Sequence, residues 1–301
     1  MRKIAVLIDA DNTSSELAKE LFAEIAKYGT ASVKRIYGDW TVNPQGWRDK
    51  LLDFAITPVQ QFAYTKGKNA TDMQLIIDAM DLLYSNTFDA FCLVSSDSDF
   101  TPIATRLRQS GKLVYGFGKT STPKSFINAV DQFIYLENLI NKPKTDNIQA
   151  LNKDLKVINL SKNTPIEQII YTAIKSSYDD NGWATLTNVN RYIRNIKPDY
   201  DSRTYGFSQF KKHLQSLGNI QIKLIKDRAY CRKIPFGAIV KILADILQNN
   251  NNHQVVINKI EKEVQGKWNW KEYGFENFRD LLEKITIIEF LDENTIKLKD
   301  A

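Results

Sequence analysis

The chain has 301 residues, 43% of them hydrophobic and 25% charged, and carries 41 Lys+Arg against 35 Asp+Glu for a net charge of +6. That length allows one α/β domain plus one or two small modules, and no apolar run approaches the ~18 residues that a membrane span needs. Two histidines (His213, His253) and two widely spaced cysteines (Cys92, Cys231) argue against a zinc site or a Ser-His-Asp triad beside acidic motifs, and the cysteine usage fits a reducing, cytoplasmic compartment.

The N-terminus passes from Arg2-Lys3 straight into an apolar run that ends at Asp9, too short and too acidic for a signal peptide. Over residues 1–140 apolar runs alternate with amphipathic stretches. Strands are expected over 3–9, 31–37, 59–64, 90–95, 113–116 and 133–136. Helices are expected between them, over 15–28, 47–56, 71–84, 102–109 and 123–130, with Gly29 and Gly111 as stops and Pro102 and Pro123 as starts. This rhythm predicts an α/β fold with a doubly wound parallel sheet, in strand order 3-2-1-4-5.

Residues 141–164 are polar, rich in Asn and Lys and without a period, and read as a linker. A second module begins at Thr164-Pro165, a cap followed by a proline at the first helical position. Three helices, to about 178, over 187–195 and over 207–217, precede a strand pair over 220–225 and 229–233 that closes on Lys226-Asp227-Arg228. That order is a winged helix-turn-helix over 165–235. Tyr205-Gly206-Phe207-Ser208-Gln209-Phe210 returns as Tyr273-Gly274-Phe275-Glu276-Asn277-Phe278. The repeat predicts a second, divergent copy over 236–301.

Three acidic motifs mark the N-terminal domain: Ile8-Asp9-Ala10-Asp11-Asn12, Lys68-Asn69-Ala70-Thr71-Asp72 and Ser95-Ser96-Asp97-Ser98-Asp99-Phe100. Carboxylates gathered at strand ends repel one another unless a cation or a reaction needs them. In a doubly wound sheet the ends of the first and fourth strands meet at the switch point where ligands bind. Asp9 and Asp97 are expected there, and Asp72, in the first turn of the helix leading to the fourth strand, joins them. Asp9, Asp72 and Asp97 are therefore assigned as catalytic, metal-holding carboxylates for Mg²⁺ or Mn²⁺, with Asn12 and Asp99 as supporting ligands. Asp11 and Asp99 also read as helix caps, Asp78 as a solvated or ion-paired residue or one at the site's edge, and Asp81 as surface. Asp9-Ala10-Asp11-Asn12-Thr13 also fits the D-x-D-x-T opening of haloacid-dehalogenase-type phosphatases, a reading that leaves Asp72 idle. Gly116-Phe117-Gly118-Lys119-Thr120 ends like a P-loop, but Leu113 stands where its first glycine belongs. Lys119 stays placed for phosphate contact near the crevice.

These motifs resemble the NYN domain, a branch of the PIN-like (flap-nuclease-like) ribonuclease superfamily, over residues 3–138. The segment Val114-Tyr115-Gly116-Phe117-Gly118 to Phe133-Ile134-Tyr135-Leu136 adds to the likeness. The resemblance implies metal-dependent endoribonuclease chemistry with Asp9, Asp72 and Asp97 in the family's acidic positions. The C-terminal modules resemble OST-HTH (LOTUS) domains, winged helices associated with RNA binding.

Charge is distributed unevenly. Residues 1–140 hold 15 basic against 16 acidic side chains, 141–235 hold 17 against 8, and 236–301 hold 9 against 11. The basic middle segment points to polyanion capture. Lys68, Lys119, Arg191, Arg194, Lys211, Lys212, Lys226 and Arg228 are the expected nucleic-acid contacts, with Trp183, Tyr192, Tyr200 and Tyr205 interleaved; Trp183, Phe207 and Phe210 read first as core. RNA is the expected partner, and DNA stays open because winged helices also read duplex grooves. An RNA-binding adaptor without catalysis is the alternative reading.

Overall fold

The fold is described from a computed structural model, for residues 1–41, 44–60, 70–140, 165–250, 254–265, 268–273, 275–285 and 287–299. The chain forms two compact units. The first is Met1–Lys144 with Ile193–Ser208, and the second is Thr145–Tyr192 with Gln209–Ala301.

The first unit is built on a six-stranded parallel sheet. Its strands are β1 (Lys3–Asp9), β2 (Thr30–Gly38), β3 (Thr57–Gln60), β4 (Ala90–Val94), β5 (Leu113–Gly118) and β6 (Gln132–Tyr135), in the order β3-β2-β1-β4-β5-β6. The expected order holds and extends by one strand. Interior parallel strands are covered on both faces and so need apolar side chains on both. In β1, Ile4 to Ile8 are all fully buried. Alternation sends Ala5 and Leu7 to one side, with Leu75, Phe91, Leu93 and Phe100. Ile4, Val6 and Ile8 go to the other, with Leu21, Ile25, Trp47 and Cys92. Helices α1 (Ala18–Ile25), α2 (Ala70–Tyr84), α3 (Thr101–Gln109), α4 (Lys124–Ala129) and α5 (Glu137–Ile140) complete this unit's main elements.

The expected helix over 47–56 is instead a 3₁₀ segment, Pro44–Lys50, followed by turns in which Ala55 takes φ 48°. Trp47 is fully buried, and its indole N–H donates to the Thr13 carbonyl at 2.7 Å. Leu51, Phe54 and Ile56 pack against the same core, so the apolar spacing reflects inward-facing side chains of a 3₁₀ segment and turns, not one face of an α-helix.

Glu24 on α1 is buried in the first unit. Arg203 reaches its carboxylate through Nη1 at 2.9 Å and Nη2 at 3.2 Å and also holds Asp201, while Lys27 donates to Glu24 at 2.7 Å. Burial alone would raise the Glu24 carboxyl, but the two cations hold it below its ordinary value.

The second unit contains two successive sets of elements in the same order. Helix α6 (Pro165–Ser177), β7 (Ala184–Thr185) and α7 (Leu186–Ile196, whose last four residues fall in the first unit) lead through a 3₁₀ turn (Ser202–Tyr205, also in the first unit) to α8 (Phe210–Ser216), β8 (Ile220–Ile225) and β9 (Arg228–Lys233). Helix α9 (Phe236–Gln248), β10 (Gln254–Val256), α10 (Ile257–Gln265), a 3₁₀ turn (Trp270–Tyr273), α11 (Phe278–Leu282), β11 (Ile288–Phe290) and β12 (Thr295–Leu298) follow. The two sheets run β7-β9-β8 and β10-β12-β11, so the middle strand is in each case the last in sequence. The β8–β9 hairpin closes through Lys226 (φ 45°) and Asp227 (φ 61°), the left-handed pair that a two-residue hairpin turn requires. These are helices with small antiparallel sheets in winged helix-turn-helix order. Among the described residues no helix is long and apolar enough to cross a membrane.

Candidate active site at the sheet switch point

β1 lies between β2 and β4, with Ile8 opposite Val94. The carboxyl ends of these neighbours therefore deliver Asp9 and the Ser95–Asp99 turn to one place. Asp9 is 1% exposed. A buried carboxylate is costly unless hydrogen-bonded, and Asp9 has three donors: the Asp11 backbone N–H to Oδ1 at 3.1 Å, Asn12 Nδ2 to Oδ2 at 2.7 Å and Ser95 Oγ to Oδ2 at 2.7 Å. The Ser95 hydroxyl in turn accepts the Asp97 backbone N–H at 3.1 Å. Ser95 thus ties the first acidic motif to the last. Its motif was visible in the sequence, but its role was not, because a serine after a strand is common and only burial singles it out.

Asp97 Oδ1 accepts the Asp99 N–H at 2.8 Å and caps a 3₁₀ turn, Ser98–Phe100, that runs into α3. The capping role belongs to Asp97 rather than Asp99. One carboxylate oxygen each of Asp72, Asp97 and Asp99 lies within 4.8 Å of the others. Among the described residues this is the only group of three or more such side chains able to share a metal ion. Burial, then the charges of Asp9, Asp97, Asp99 and Asp11, push the Asp72 carboxyl up to about 6. Asp9, expected among the metal-holding carboxylates, is not one of that group; its charge nevertheless helps to raise Asp72. Asp11 is also raised, by burial and by Asp9 and Asp39. Asp39, at the end of β2, was not anticipated; it holds Thr41 and Gln60 at 2.7–3.0 Å.

Asp78 accepts from Arg35 Nη1 at 2.8 Å, from Tyr37 Oη at 2.9 Å and from Gln74, the ion-paired one of the roles left open for it, and Asp81 is exposed. Lys119 is exposed on the loop after β5, and its backbone N–H donates to Ser96 Oγ at 2.8 Å, beside the acidic turn. The glycines of the P-loop lookalike serve packing: a Cβ on Gly118 would meet the Ser95 carbonyl and Thr122 Oγ1 at 2.7 Å, and one on Gly116 would meet Phe133 at 2.7 Å.

The expected nucleic-acid contacts separate into groups. Lys226 and Arg228 are exposed at the hairpin tip, Arg191 is exposed and bonded to Asn188, and Lys211 and Lys212 are half-buried on α8. Arg194 is committed within the first unit, donating to Gln132 Oε1 at 3.0 Å. Lys68 and His253 lie outside the described residues. Tyr200 is buried against Tyr205 rather than free for stacking. Trp183 is also buried, with Lys223 Nζ 3.8 Å and the Arg232 guanidinium 4.6 Å from its ring centre. His213 is buried, which lowers it to about 4, and Cys92 and Cys231 are buried free thiols.

A doubly wound parallel sheet with clustered carboxylates at its switch point defines a PIN-like α/β domain. The family model of the NYN domain matches residues 3–137, and that of the OST-HTH/LOTUS domain matches residues 148–230. The chain joins an NYN domain to an OST-HTH/LOTUS domain. The NYN match also leaves the phosphatase reading of Asp9-Ala10-Asp11 without support, since Asp72 is part of the cluster. An uncharacterised protein of Methanocaldococcus jannaschii is 28% identical over 123 residues, covering 38% of this chain and 47% of that protein. The chain thus spans about half the length of this curated relative. A crystallised Vibrio parahaemolyticus protein of unknown function aligns with 19% identity and TM-score 0.36 over 44% of this chain and 91% of that one.

Proposed function

We propose that the chain is a metal-dependent endoribonuclease whose C-terminal modules hold RNA. The convergence of Asp72, Asp97 and Asp99, with Asp9 alongside, at the switch point of an NYN domain carries this reading. The donor set suits Mg²⁺ or Mn²⁺: it is all oxygen, and burial together with the neighbouring carboxylates pushes Asp72 up to about 6, a repulsion that a bound cation relieves. A divalent ion bound there supplies an acidified water and neutralises charge on the phosphate. Asp72, Asp97 and Asp99 would hold the ion, with Asp9 as a further carboxylate alongside and Asn12 donating to it. Ser95 fixes the Asp9 carboxylate in one orientation. Lys119 offers a cation to the RNA backbone at the rim.

The proposed division is a nuclease domain over 1–140, a linker over 141–164, a winged helix over 165–235 and a divergent second copy over 236–301. The matching element order and strand order of the two sets support the last assignment. Lys211, Lys212, Lys226, Arg228 and Arg191 give the first copy its sequence-tolerant phosphate contacts. A cytoplasmic setting suits the two free thiols. RNA cleavage with Mn²⁺, with EDTA, and by Asp9→Asn tests the reading. Cleavage that needs Mn²⁺ and is lost in Asp9→Asn is expected; cleavage that survives EDTA, or full activity of Asp9→Asn, refutes it.

A further inference from the structure

A cleft of about 550 Å³ opens in the second unit, beside α6 and β9, far in sequence from the acidic motifs. Its lining mixes aromatic rings with cations: Tyr171, Lys175, Tyr178, Arg232, Lys233 and Tyr273. No Asp or Glu lines it among the described residues. Its size falls in the range of small-ligand sites.

The groups divide into fixed and free. The Arg232 guanidinium lies 4.2 Å from the centre of the Tyr273 ring and 4.6 Å from that of Trp183, and its Nε donates to Gln221 at 2.8 Å. Tyr273 stacks on Trp268 with its other face, 4.8 Å between centres. Tyr171 is held by hydrogen bonds with Asn219, and Lys233 Nζ sits 4.0 Å from the centre of its ring. These groups make a rigid wall. The Asn181–Gly182 turn that also lines the cleft is held in place, because Asp179 accepts the N–H groups of Asn181 and Trp183 at 3.0 and 2.9 Å. Lys175 and Tyr178 differ: both are exposed, and among the described residues neither side chain has a partner. They follow Tyr171 by four and seven residues along α6 and its end, so all three lie on one face.

An unsatisfied aromatic face, a free ammonium and a pre-ordered cationic wall in one cavity match a ligand that is flat at one end and anionic at the other. We infer that this cleft binds one unpaired nucleotide of single-stranded RNA, its base on Tyr178 and its phosphates between Lys175 and Lys233. Duplex RNA keeps its bases stacked and cannot supply the flat end; unpaired bases stack readily on aromatic side chains. Tyr273 lies in the second set of elements, so that set contributes to the site despite the net acidity of 236–301. The inference rests on the reading of the chain as an RNA-acting protein and adds the strandedness of its ligand.

The test is equilibrium binding by fluorescence anisotropy with the full chain carrying Asp9→Asn, so that cleavage plays no part in the readout. The probe is a labelled single-stranded RNA of about 12 nucleotides; a hairpin of the same composition and free 5′-mononucleotides serve as competitors. Tyr178→Ala with Lys175→Ala is expected to weaken single-strand binding about tenfold or more, the loss of roughly one stacked base. Both positions are exposed, so the fold tolerates the change. A Tyr178→Trp variant is expected to lose indole emission on adding the single strand. Mononucleotides are expected to compete only weakly. Affinity within twofold of the parent in the double variant overturns the inference, as does an indole spectrum of Tyr178→Trp that stays unchanged at saturating RNA. Tight mononucleotide binding that RNA does not displace also overturns it and assigns the cleft to a free nucleotide. Failure of the nuclease reading shows only in the cleavage assay and leaves these measurements intact.

Discussion

Asp72→Asn is expected to stabilise the metal-free protein at neutral pH. The carboxyl is raised from its ordinary 3.8 to about 6 by burial and by four neighbouring aspartates. A raised carboxyl favours the protonated form in the folded chain, so its contribution is fully present below 3.8 and is lost as pH rises through about 6. Fully expressed, that difference corresponds to ~3 kcal/mol at pH 7.5; because the group is about half exposed, screening reduces it to ~1–2 kcal/mol. Asparagine cannot ionise and removes the repulsion. Calorimetry in EDTA at about pH 7.5 and about pH 4.5 measures it. At the higher pH the variant's transition is expected to lie roughly 2–8 °C above wild type, and the gain shrinks to about a third at the lower pH. Mn²⁺ reverses the order at the higher pH, because wild type gains a bound ion that the variant holds poorly. A variant less stable than wild type in EDTA at neutral pH, or a gain that does not depend on pH, refutes the electrostatic account of the pocket.

Ser95→Ala removes the hydroxyl that orients Asp9; a loss of ~1–3 kcal/mol in urea unfolding is expected, together with slower RNA cleavage. Gly118→Ala places a Cβ 2.7 Å from the Ser95 carbonyl and is expected to cost ~1–3 kcal/mol by overpacking, read as a lowered Tm with reduced cleavage. Arg203→Ala leaves buried Glu24 with Lys27 as its remaining ion pair; a loss of about 3 kcal/mol is expected near neutral pH. The Glu24 carboxyl is held low, so this stabilisation is present above 4.5 and fades as pH falls through the folded value. A denaturation series in pH checks both parts.

Most of the sheet was legible because buried parallel strands announce themselves as uninterrupted apolar runs, as Ile4 to Ile8 and Ala90 to Val94 do. The segment around Trp47 was misread because a 3₁₀ segment and turns can send Trp47, Leu51, Phe54 and Ile56 into one core at a spacing that also fits an α-helix. At the candidate site, residue type and strand position were enough to place Asp72 and Asp97 together, but not to show that Asp99 rather than Asp9 would complete their group. Sequence could not say that Asp9 would be almost wholly buried, that Asp97 would spend an oxygen on the Asp99 N–H, or that Ser95 would join two motifs. Those outcomes depend on which side chains face inward after a turn. Arg194 reads from sequence like any other cation in the basic segment; its bond to Gln132 comes from residues 62 positions apart.

The Ser95 hydroxyl has a mechanical consequence. It has one hydrogen, and that hydrogen is given to Asp9, while its lone pair takes the amide of Asp97. Two strand termini are thereby pinned to a single oxygen atom, so a disturbance arriving through β5, by way of the tight approach of Gly118 to the Ser95 carbonyl, is felt by both acids together. Drift in that loop would detune the whole pocket at once instead of loosening one ligand, which makes a position without charge the point of greatest leverage over the chemistry.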